Sequence, residues 1–264
     1  MDTRTVAARS DSAAASLSDD ASATDLYLDL MKRCLTNSIY GESEGATFDA
    51  DERATGHDWP PTAHSMIGLR RLDQLQFCVE DVIHSQVPGD LIETGVWRGG
   101  ASIFMRAVLR AHGVTDRTVW VADSFEGLPP PDLKHFPQDT GPVGNLHRVD
   151  YLAVSLDRVK DNFRAYGLLD DHVRFLKGWF KDTLPTAPVE RLAVLRMDGD
   201  MYQSTMEALE ALYPKLSVGG YVIVDDYGAI EQCRQAVHDY REAHGISDEL
   251  TMVDWTGAHW KRSS

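Results

Sequence analysis

The sequence predicts an α/β protein whose sheet is mostly parallel and covered by helices on both faces. Three observations support this. From Pro88 onward, short apolar runs alternate with segments of helical length; a glycine-rich turn follows the first run; and aspartates directly follow two later runs. Because the carboxyl ends of strands line the ligand crevice in such sheets, the turn and the aspartates are expected to share one site.

The N-terminal part is predicted to be helical after a disordered tail over residues 1–23, which are rich in Ala, Ser and Asp. Thr24 is a candidate cap for a helix that ends near Tyr40-Gly41, and residues 42–58 read as a loop. A second helix is expected from about Ala63 to Ser85, because its apolar residues recur at helical spacing. Both helices precede any strand signal.

The strands and helices of the core follow in alternation. The predicted strands are Leu91–Thr94, Thr118–Ala122, Val173–Leu176, Leu192–Met197 and Tyr221–Val224. The predicted helices are Ala101–His112, Ser155–Tyr166, Ser204–Tyr213 and Ile230–His244. A terminal hairpin of Leu250–Trp255 and Ala258–Lys261 is expected to add antiparallel strands at one edge. The expected organisation is a single domain over 24–264, with a helical appendage (24–87) and an α/β core (88–264).

Composition narrows the possible partners. The 264 residues include 26 basic and 41 acidic ones, and the net charge of -15 opposes binding to nucleic acid. No apolar run approaches the roughly 18 residues of a membrane-spanning helix, so no membrane partner is expected. Three widely spaced cysteines argue against a disulfide framework or a zinc site and favour a reducing cytoplasm.

The glycine-rich turn runs from Glu93 to Gly100, between the first strand and the first core helix. Small residues there let backbone amides approach a nucleotide-like ligand, and Asp123, at the end of the next strand, is placed to accept ribose hydroxyl hydrogens. Together they suggest a cofactor that contains adenosine. The negative charge of Glu93 favours a cationic cofactor such as S-adenosylmethionine over a dinucleotide. The alternative is that the turn is only a tight strand-to-helix joint.

The aspartates form the second signal. Asp198, Asp225 and Asp226 follow two predicted strands and supply the oxygen ligands that Mg²⁺ prefers. Three uncompensated carboxylates would repel one another, and a bound cation removes that conflict. The alternative is that Asp198 and Asp226 cap the helices that follow them. Asp200 is left open as an outer group, a cap or a base.

A long segment separates Asp123 from the next helix. Residues 128–150 show no clear periodicity and form a connection of unusual length, which makes them a candidate lid over the substrate. The alternative is a passive surface loop.

Several motifs resemble one known family, the metal-dependent macrocin-type O-methyltransferases, which methylate sugar hydroxyls on macrolide and aminocoumarin antibiotics. The resemblance runs from Asp25 to Arg262. The motifs that carry it are Leu26–Leu30, His64–Gly68, Glu93–Gly100, Trp120–Phe125, Tyr166–Asp171, Gly178–Thr183, Leu195–Asp200 and Val224–Tyr227.

The resemblance implies a class I methyltransferase sheet of the Rossmann-like type, a lid and a homodimer. It implies Mg²⁺ on Asp198, Asp225 and Asp226. It also implies S-adenosylmethionine in contact with the helix that precedes the sheet, the turn, the Asp123 segment, an aromatic pair beside the adenine, and the first metal aspartate. Those residues are Ser65, Met66, Glu93, Thr94, Gly95, Val96, Trp97, Asp123, Ser124, Trp179, Phe180 and Asp198.

The expected activity is Mg²⁺-dependent methylation of a sugar hydroxyl on a glycosylated secondary metabolite, with a phenolic, catechol-like acceptor as the alternative. Catechol-type enzymes place a lysine base three residues after the first metal aspartate, and here that residue is Met201. Asp198 or Asp200 is therefore the expected proton acceptor. A nucleotide-cofactor dehydrogenase would share the turn and Asp123 but would leave the metal aspartates unexplained, and a non-catalytic binding module is the third possibility.

Overall fold

A computed structural model describes residues 20–41 and 48–264. Most of the predicted disordered tail, up to residue 19, lies outside the described residues. Its last residues depart from the prediction, because Ala23 already belongs to a helix. Within the described ranges, no helix combines the length and the apolar character needed to cross a bilayer.

The first helix, α1, is Ala23–Leu35. Its cap is Ser22 rather than Thr24, because Ser22 and Asp25 form a reciprocal capping box. The helix also ends before the predicted Tyr40-Gly41, since Asn37 adopts a left-handed backbone conformation with φ of 52°.

Two further helices precede the sheet. Of the predicted loop at 42–58, residues 42–47 lie outside the described residues, and the remainder contains a short helix, α2 (Ala50–Thr55), capped by Asp49. Helix α3 is Gly68–His84, so it begins later than the predicted Ala63. The cause is a close approach: Gly68 has φ of 73°, and a Cβ there would lie 2.6 Å from the backbone nitrogen of Gly56.

The sheet has seven strands in the order β3-β2-β1-β4-β5-β7-β6. The first five pair in parallel, and the last two form an antiparallel hairpin, which confirms the predicted fold class. The bounds in chain order are β1 Asp90–Thr94, β2 Val119–Asp123, β3 Val173–Lys177, β4 Leu192–Met197, β5 Leu216–Val224, β6 Thr251–Met252 and β7 Ala258–Lys261. Strand β5 is longer than predicted and β6 is shorter.

The helices of the core lie on both faces of this sheet. Their bounds are α4 Gly100–Ala111, α5 Leu156–Ala165, α6 Phe180–Thr183, α7 Tyr202–Leu212 and α8 Glu231–Ala243. Helix α6 was not predicted. Three 3-10 turns occupy Val143–Arg148, Asp150–Leu152 and Tyr213–Lys215, so part of the candidate lid has local helical structure.

Two apolar clusters cover the two faces of the sheet because successive side chains of each strand point in opposite directions. Leu91 and Val194 belong to the cluster that includes α1, α3 and α4. Their neighbours Ile92 and Leu195 belong to the cluster that includes α7 and α8. The predicted helical appendage therefore packs into the same core as the sheet.

Candidate active site

A cavity of about 530 Å³ opens at the carboxyl ends of the parallel strands. Strand β1 lies between β2 and β4, so the chain order of the sheet reverses at β1. A reversal of this kind opens a crevice in which doubly wound proteins bind their ligands. The glycine turn after β1 and the aspartates after β4 and β5 both line it.

The glycine turn packs directly against the segment that follows β4. The backbone N–H of Asp198 donates to the carbonyl of Thr94 over 2.8 Å. Gly95 has φ of 83°, and a Cβ there would lie 1.8 Å from the backbone oxygen of Asp198. Only glycine fits this position, and the close approach brings the turn and the first aspartate to one side of the cavity.

Asp123 holds the turn from the other side. Its carboxylate accepts a hydrogen bond from the Val96 N–H at 2.7 Å and one from the Phe125 N–H at 2.6 Å. Asp123 lines the cavity, so its carboxylate is placed to accept hydrogens from a ligand. Burial raises the pKa of Asp123, and the backbone hydrogen bonds oppose that shift.

Glu93 does not present a free negative charge to the cavity, contrary to the expectation from the sequence. Its carboxylate accepts from Arg196 Nη1 at 2.6 Å and from the hydroxyl of Ser102. Arg196 also contacts Asp198 Oδ2 at 3.0 Å through Nη1 and Asp225 Oδ1 at 2.6 Å through Nη2. One buried guanidinium thus neutralises the acid of the turn and contacts two predicted metal ligands, so the charge of Glu93 alone does not select a cationic cofactor.

Arg196 was missed in the sequence, although a signal was present. It interrupts an otherwise apolar strand, β4, and its side chain is only 1% exposed. A charged residue in a fully buried strand requires partners inside the protein.

We call Asp198, Asp225 and Asp226 the aspartate triad, and the triad together with Asp200 the acidic cluster. One carboxylate oxygen from each member of the triad lies within 4.8 Å of the others. The N–H of Asp225 donates to the carbonyl of Met197, which aligns the ends of β4 and β5. Asp200, with φ of 57°, donates its own N–H to Asp226 Oδ2 at 3.2 Å. The sequence therefore located correctly a set of carboxylates that converge.

Burial and mutual repulsion raise the pKa values of Asp198, Asp200 and Asp226, and burial also raises the pKa of the neighbouring Glu93. Burial raises the pKa of Glu93 to about 7 and, with repulsion from Asp225, that of Asp198 to about 6. Burial and repulsion from Asp198 raise the pKa of Asp200 to about 7. Burial and repulsion from Asp200 raise the pKa of Asp226 well above its usual range. A cluster with this electrostatic character favours a cation.

The helix-capping alternative for these aspartates is wrong. Helix α7 has Met201 at its N-cap and α8 has Ile230, and neither makes a side-chain capping bond. The first N–H groups of α7 donate instead to Asp139, at 2.7 Å from Tyr202 and 3.0 Å from Gln203. The carboxylates of the acidic cluster are therefore not used as caps, and a buried acid of the candidate lid takes that role.

The turn of the C-terminal hairpin is part of the site, which the sequence did not indicate. Arg71 of α3 contacts Asp225 Oδ2 through Nη1 and Asp254 Oδ2 through Nε at 3.1 Å. Thr256 Oγ1 donates to the backbone oxygen of Asp225 at 2.9 Å. Arg71 lies one helical turn from Ile67 and from Leu75, so a charge on an apolar helix face was the available signal.

Nearly all of the predicted site residues line the cavity. They are Ser65, Met66, Glu93, Gly95, Val96, Trp97, Asp123, Ser124, Trp179, Phe180, Asp198, Asp200, Asp225 and Asp226. Thr94 differs: it is fully buried within the sheet, and its contribution is the carbonyl that accepts from Asp198. Its side chain is therefore not placed to contact a cofactor.

Aromatic side chains and the candidate lid form the outer wall of the cavity. Trp59, which is 53% exposed, stacks on Tyr151, and Trp255, which is 44% exposed, stacks on His57. Leu128–Pro130 from the candidate lid complete the wall. The cavity thus joins an acidic floor to an apolar, aromatic mouth.

Comparison with known proteins assigns the family. Residues 42–262 match the family described as Macrocin-O-methyltransferase (TylF). This chain belongs to that family. It is therefore an O-methyltransferase, as the resemblance in the sequence predicted.

Two curated relatives and one solved structure are closely similar. The 8-demethyl-8-(2,3-dimethoxy-alpha-L-rhamnosyl)-tetracenomycin-C 4'-O-methyltransferase of Streptomyces olivaceus is 59% identical, over 92% of this chain and 94% of that protein. The Mycinamicin III 3''-O-methyltransferase of Micromonospora griseorubida is 54% identical, over 91% and 97%. The structure of the O-methyltransferase NovP superposes with a TM-score of 0.88 at 54% identity, covering 91% of this chain and all of that one.

Proposed function

We propose that this O-methyltransferase transfers the methyl group of S-adenosylmethionine to a sugar hydroxyl of a glycosylated secondary metabolite, in a reaction that depends on Mg²⁺. The observation that carries the proposal is the convergence of the glycine turn, Asp123 and the aspartate triad on one cavity. Names of the relatives support the substrate class, since one acts on a rhamnosyl derivative of tetracenomycin.

The donor set of the triad fits a magnesium ion. Oxygen ligands at about 2.1 Å from one Mg²⁺ lie at most about 4.2 Å apart, so the triad needs only a small closure from its present spread. Asp198, Asp225 and Asp226 would hold the ion. When bound, the ion supplies a Lewis acid that lowers the pKa of an acceptor hydroxyl.

Asp200 is the proposed proton acceptor. Its carboxylate lines the cavity beside the triad and is not one of the proposed metal ligands, whereas Asp198 already accepts from Arg196. Met201, at the position of the catechol-type lysine, is 1% exposed and carries no titratable group. We retain Asp198 as the second candidate base. The pH-rate profile of Asp200→Asn distinguishes the two: loss of its acidic limb assigns the base to Asp200, and an unchanged profile favours Asp198.

The turn and Asp123 are the proposed S-adenosylmethionine site. The proposed position for the ribose and the methionyl group is bordered by Gly95, Val96 and Ser124. The segment before α3 borders the same position with Ser65 and Met66. Trp179 and Phe180 are the proposed aromatic wall for the adenine. A cofactor bound there would place its reacting methyl group beside the acidic cluster. The main contribution of the acidic cluster is then to hold the acceptor hydroxyl in line with that methyl group.

The apolar mouth suits an acceptor that carries a large aglycone beside its sugar. Trp59 and Trp255 offer flat apolar surface, and tryptophan contributes large contact areas at binding sites. We propose residues 128–150 as the lid that covers this acceptor, because Leu128–Pro130 line the cavity and Asp139 fastens the segment to α7.

The test is transfer of labelled methyl groups from S-adenosylmethionine to three acceptor classes: glycosides, their free aglycones and catechol-type phenols. Each assay is run with and without a chelator, in the wild type, in Asp226→Asn and in the exposed control Asp116→Asn. The proposal expects label on the sugar, loss of transfer with chelator or in Asp226→Asn, and normal transfer in the control. Preferential labelling of the phenols would favour the catechol-like alternative, and transfer that survives complete metal removal would refute the metal dependence.

We also propose a homodimer in the cytoplasm, with a small-molecule glycoside as the substrate and with no nucleic acid or membrane partner. Leu26 and Leu30 on the outer face of α1 are more than half exposed, and adjacent exposed apolar side chains often mark an interface. Sedimentation equilibrium of the wild type and of Leu30→Lys tests the dimer. A monomeric wild type would contradict it.

A further inference from the structure

We propose that Arg71 is a positioning residue for the aspartate triad, and that it fixes the carboxylate of Asp225 by joining it to the turn of the C-terminal hairpin. The inference rests on the metal site proposed above and adds to it a residue from α3 and a turn from the far edge of the sheet. Neither element supplies a metal ligand.

The contacts of Arg71 define the link. Its Nη1 donates to Asp225 Oδ2, and its Nε donates to Asp254 Oδ2 at 3.1 Å. All three side chains are less than 10% exposed, at 7%, 9% and 2% respectively. Nη2 lies 3.4 Å from the carbonyl of Gly56. Because these side chains are buried, the two ion pairs hold Arg71 in one geometry, whereas exposed ion pairs leave their side chains free to move.

The turn completes a closed set of bonds around Asp225. Asp254 Oδ1 accepts from the N–H groups of Thr256 at 3.0 Å and Gly257 at 2.8 Å, so its other oxygen is directed at Arg71. Thr256 Oγ1 donates back to the backbone oxygen of Asp225. The turn thus holds the main chain of Asp225 directly and its carboxylate through Arg71.

Asp225 is consequently fixed at both oxygens. Arg196 takes Oδ1 at 2.6 Å and Arg71 takes Oδ2. Since each carboxylate oxygen has two lone-pair directions, one direction on each remains for a metal ion. The guanidinium groups of Arg196 and Arg71 therefore determine the direction of the remaining lone pairs of the Asp225 carboxylate. Residues that orient a ligating carboxylate in this way affect the affinity for the metal.

An arginine is required for this geometry. Two nitrogen atoms of one rigid planar group reach two carboxylates on different elements, whereas the ammonium of lysine is a single point at the end of a flexible stem. The variant Arg71→Lys keeps the positive charge but loses the two-point contact. The variant Asp254→Asn keeps an oxygen for the turn but presents its amide to Arg71 in place of a carboxylate.

The experiment measures Mn²⁺ binding by electron paramagnetic resonance on the full chain, with calorimetric titration of S-adenosylhomocysteine as the parallel readout. We expect Arg71→Lys and Asp254→Asn each to weaken Mn²⁺ binding about tenfold, with S-adenosylhomocysteine affinity unchanged within about twofold. The matched control is Asp81→Asn. Asp81 also joins α3 to the sheet, through Tyr221 of β5 and Lys261 of β7, without touching the triad.

The outcomes separate this inference from the function it rests on. Wild-type Mn²⁺ affinity in either variant overturns the role of Arg71, as does an equal loss in Asp81→Asn. If Arg71→Lys does not fold, Asp254→Asn decides. If the wild type binds no Mn²⁺, or Asp226→Asn binds it normally, the proposed metal site itself fails and the inference fails with it.

Discussion

Replacing Arg196 with methionine should destabilise the protein strongly, because three carboxylates depend on that one guanidinium. Its nitrogen atoms lie 2.6, 3.0 and 2.6 Å from oxygens of Glu93, Asp198 and Asp225, and its side chain is 1% exposed. Methionine fills a similar volume, so the main effect is the loss of charge. Removing one partner of a buried ion pair costs about 3–5 kcal/mol of unfolding free energy. At about 2–4 °C per kcal/mol for a chain of this size, Tm should fall by about 6–20 °C.

The assay is thermal unfolding by circular dichroism without divalent metal. Arg164→Met is the control, since Arg164 and its partner Asp161 are both more than half exposed and its Tm should change little. The double variant Arg196→Met with Glu93→Gln should recover part of the loss, because it removes one of the charges left without a partner. A coupling energy of about 1–3 kcal/mol is expected. A Tm within about 2 °C of wild type for Arg196→Met, or no recovery in the double variant, would refute the reasoning.

Three further predictions follow from the same contacts. Folding raises the pKa values of Asp198, Asp200 and Asp226, so the metal-free folded state binds protons that the unfolded state has released. Tm should therefore fall between about pH 5 and about pH 8, and saturating Mg²⁺ should reduce the fall. A rising Tm in calorimetry would contradict this. Asp139→Ala removes the acceptor of two N–H groups of α7 and should lower the free energy of unfolding by about 1–2 kcal/mol in chemical denaturation. The control Asp132→Ala, in the same segment and exposed, should leave that free energy unchanged. Equal denaturation midpoints for the two variants would refute the anchoring role of Asp139. Gly95→Ala should weaken S-adenosylhomocysteine binding by at least about tenfold in calorimetry, because the new Cβ meets the backbone of Asp198. The control Gly113→Ala, at a similar φ with open space around it, should bind S-adenosylhomocysteine normally. Normal binding in Gly95→Ala would contradict the close approach of the turn to Asp198.

The sequence predicted the fold, and it predicted which polar residues meet at one edge of the sheet, for a physical reason. Apolar runs of β-branched and leucine residues define buried parallel strands, and the polar residue that follows each run must lie at the carboxyl edge. That rule places Asp123, Asp198, Asp225 and Asp226 at the same edge, where they line one cavity. It required no knowledge of how the intervening helices pack.

What the sequence did not show are contacts between distant segments. Arg71 and Asp254 are 183 residues apart, and no local periodicity relates them. The late start of α3 depends on a close approach between Gly56 and Gly68, which is likewise tertiary. Charged residues in apolar patterns, Arg71 on a helix and Arg196 on a strand, were the visible sign that buried ion pairs existed, but their partners had to come from the structure.

The proposed chemistry requires the aspartate triad to bind a divalent cation beside the cofactor. The most direct measurement is anomalous X-ray scattering from crystals of the full chain grown with Mn²⁺ and S-adenosylhomocysteine. We predict one anomalous peak within about 2.3 Å of carboxylate oxygens of Asp198, Asp225 and Asp226. A cofactor bound at the glycine turn with no peak at the triad, or with the metal at other residues, would contradict the account.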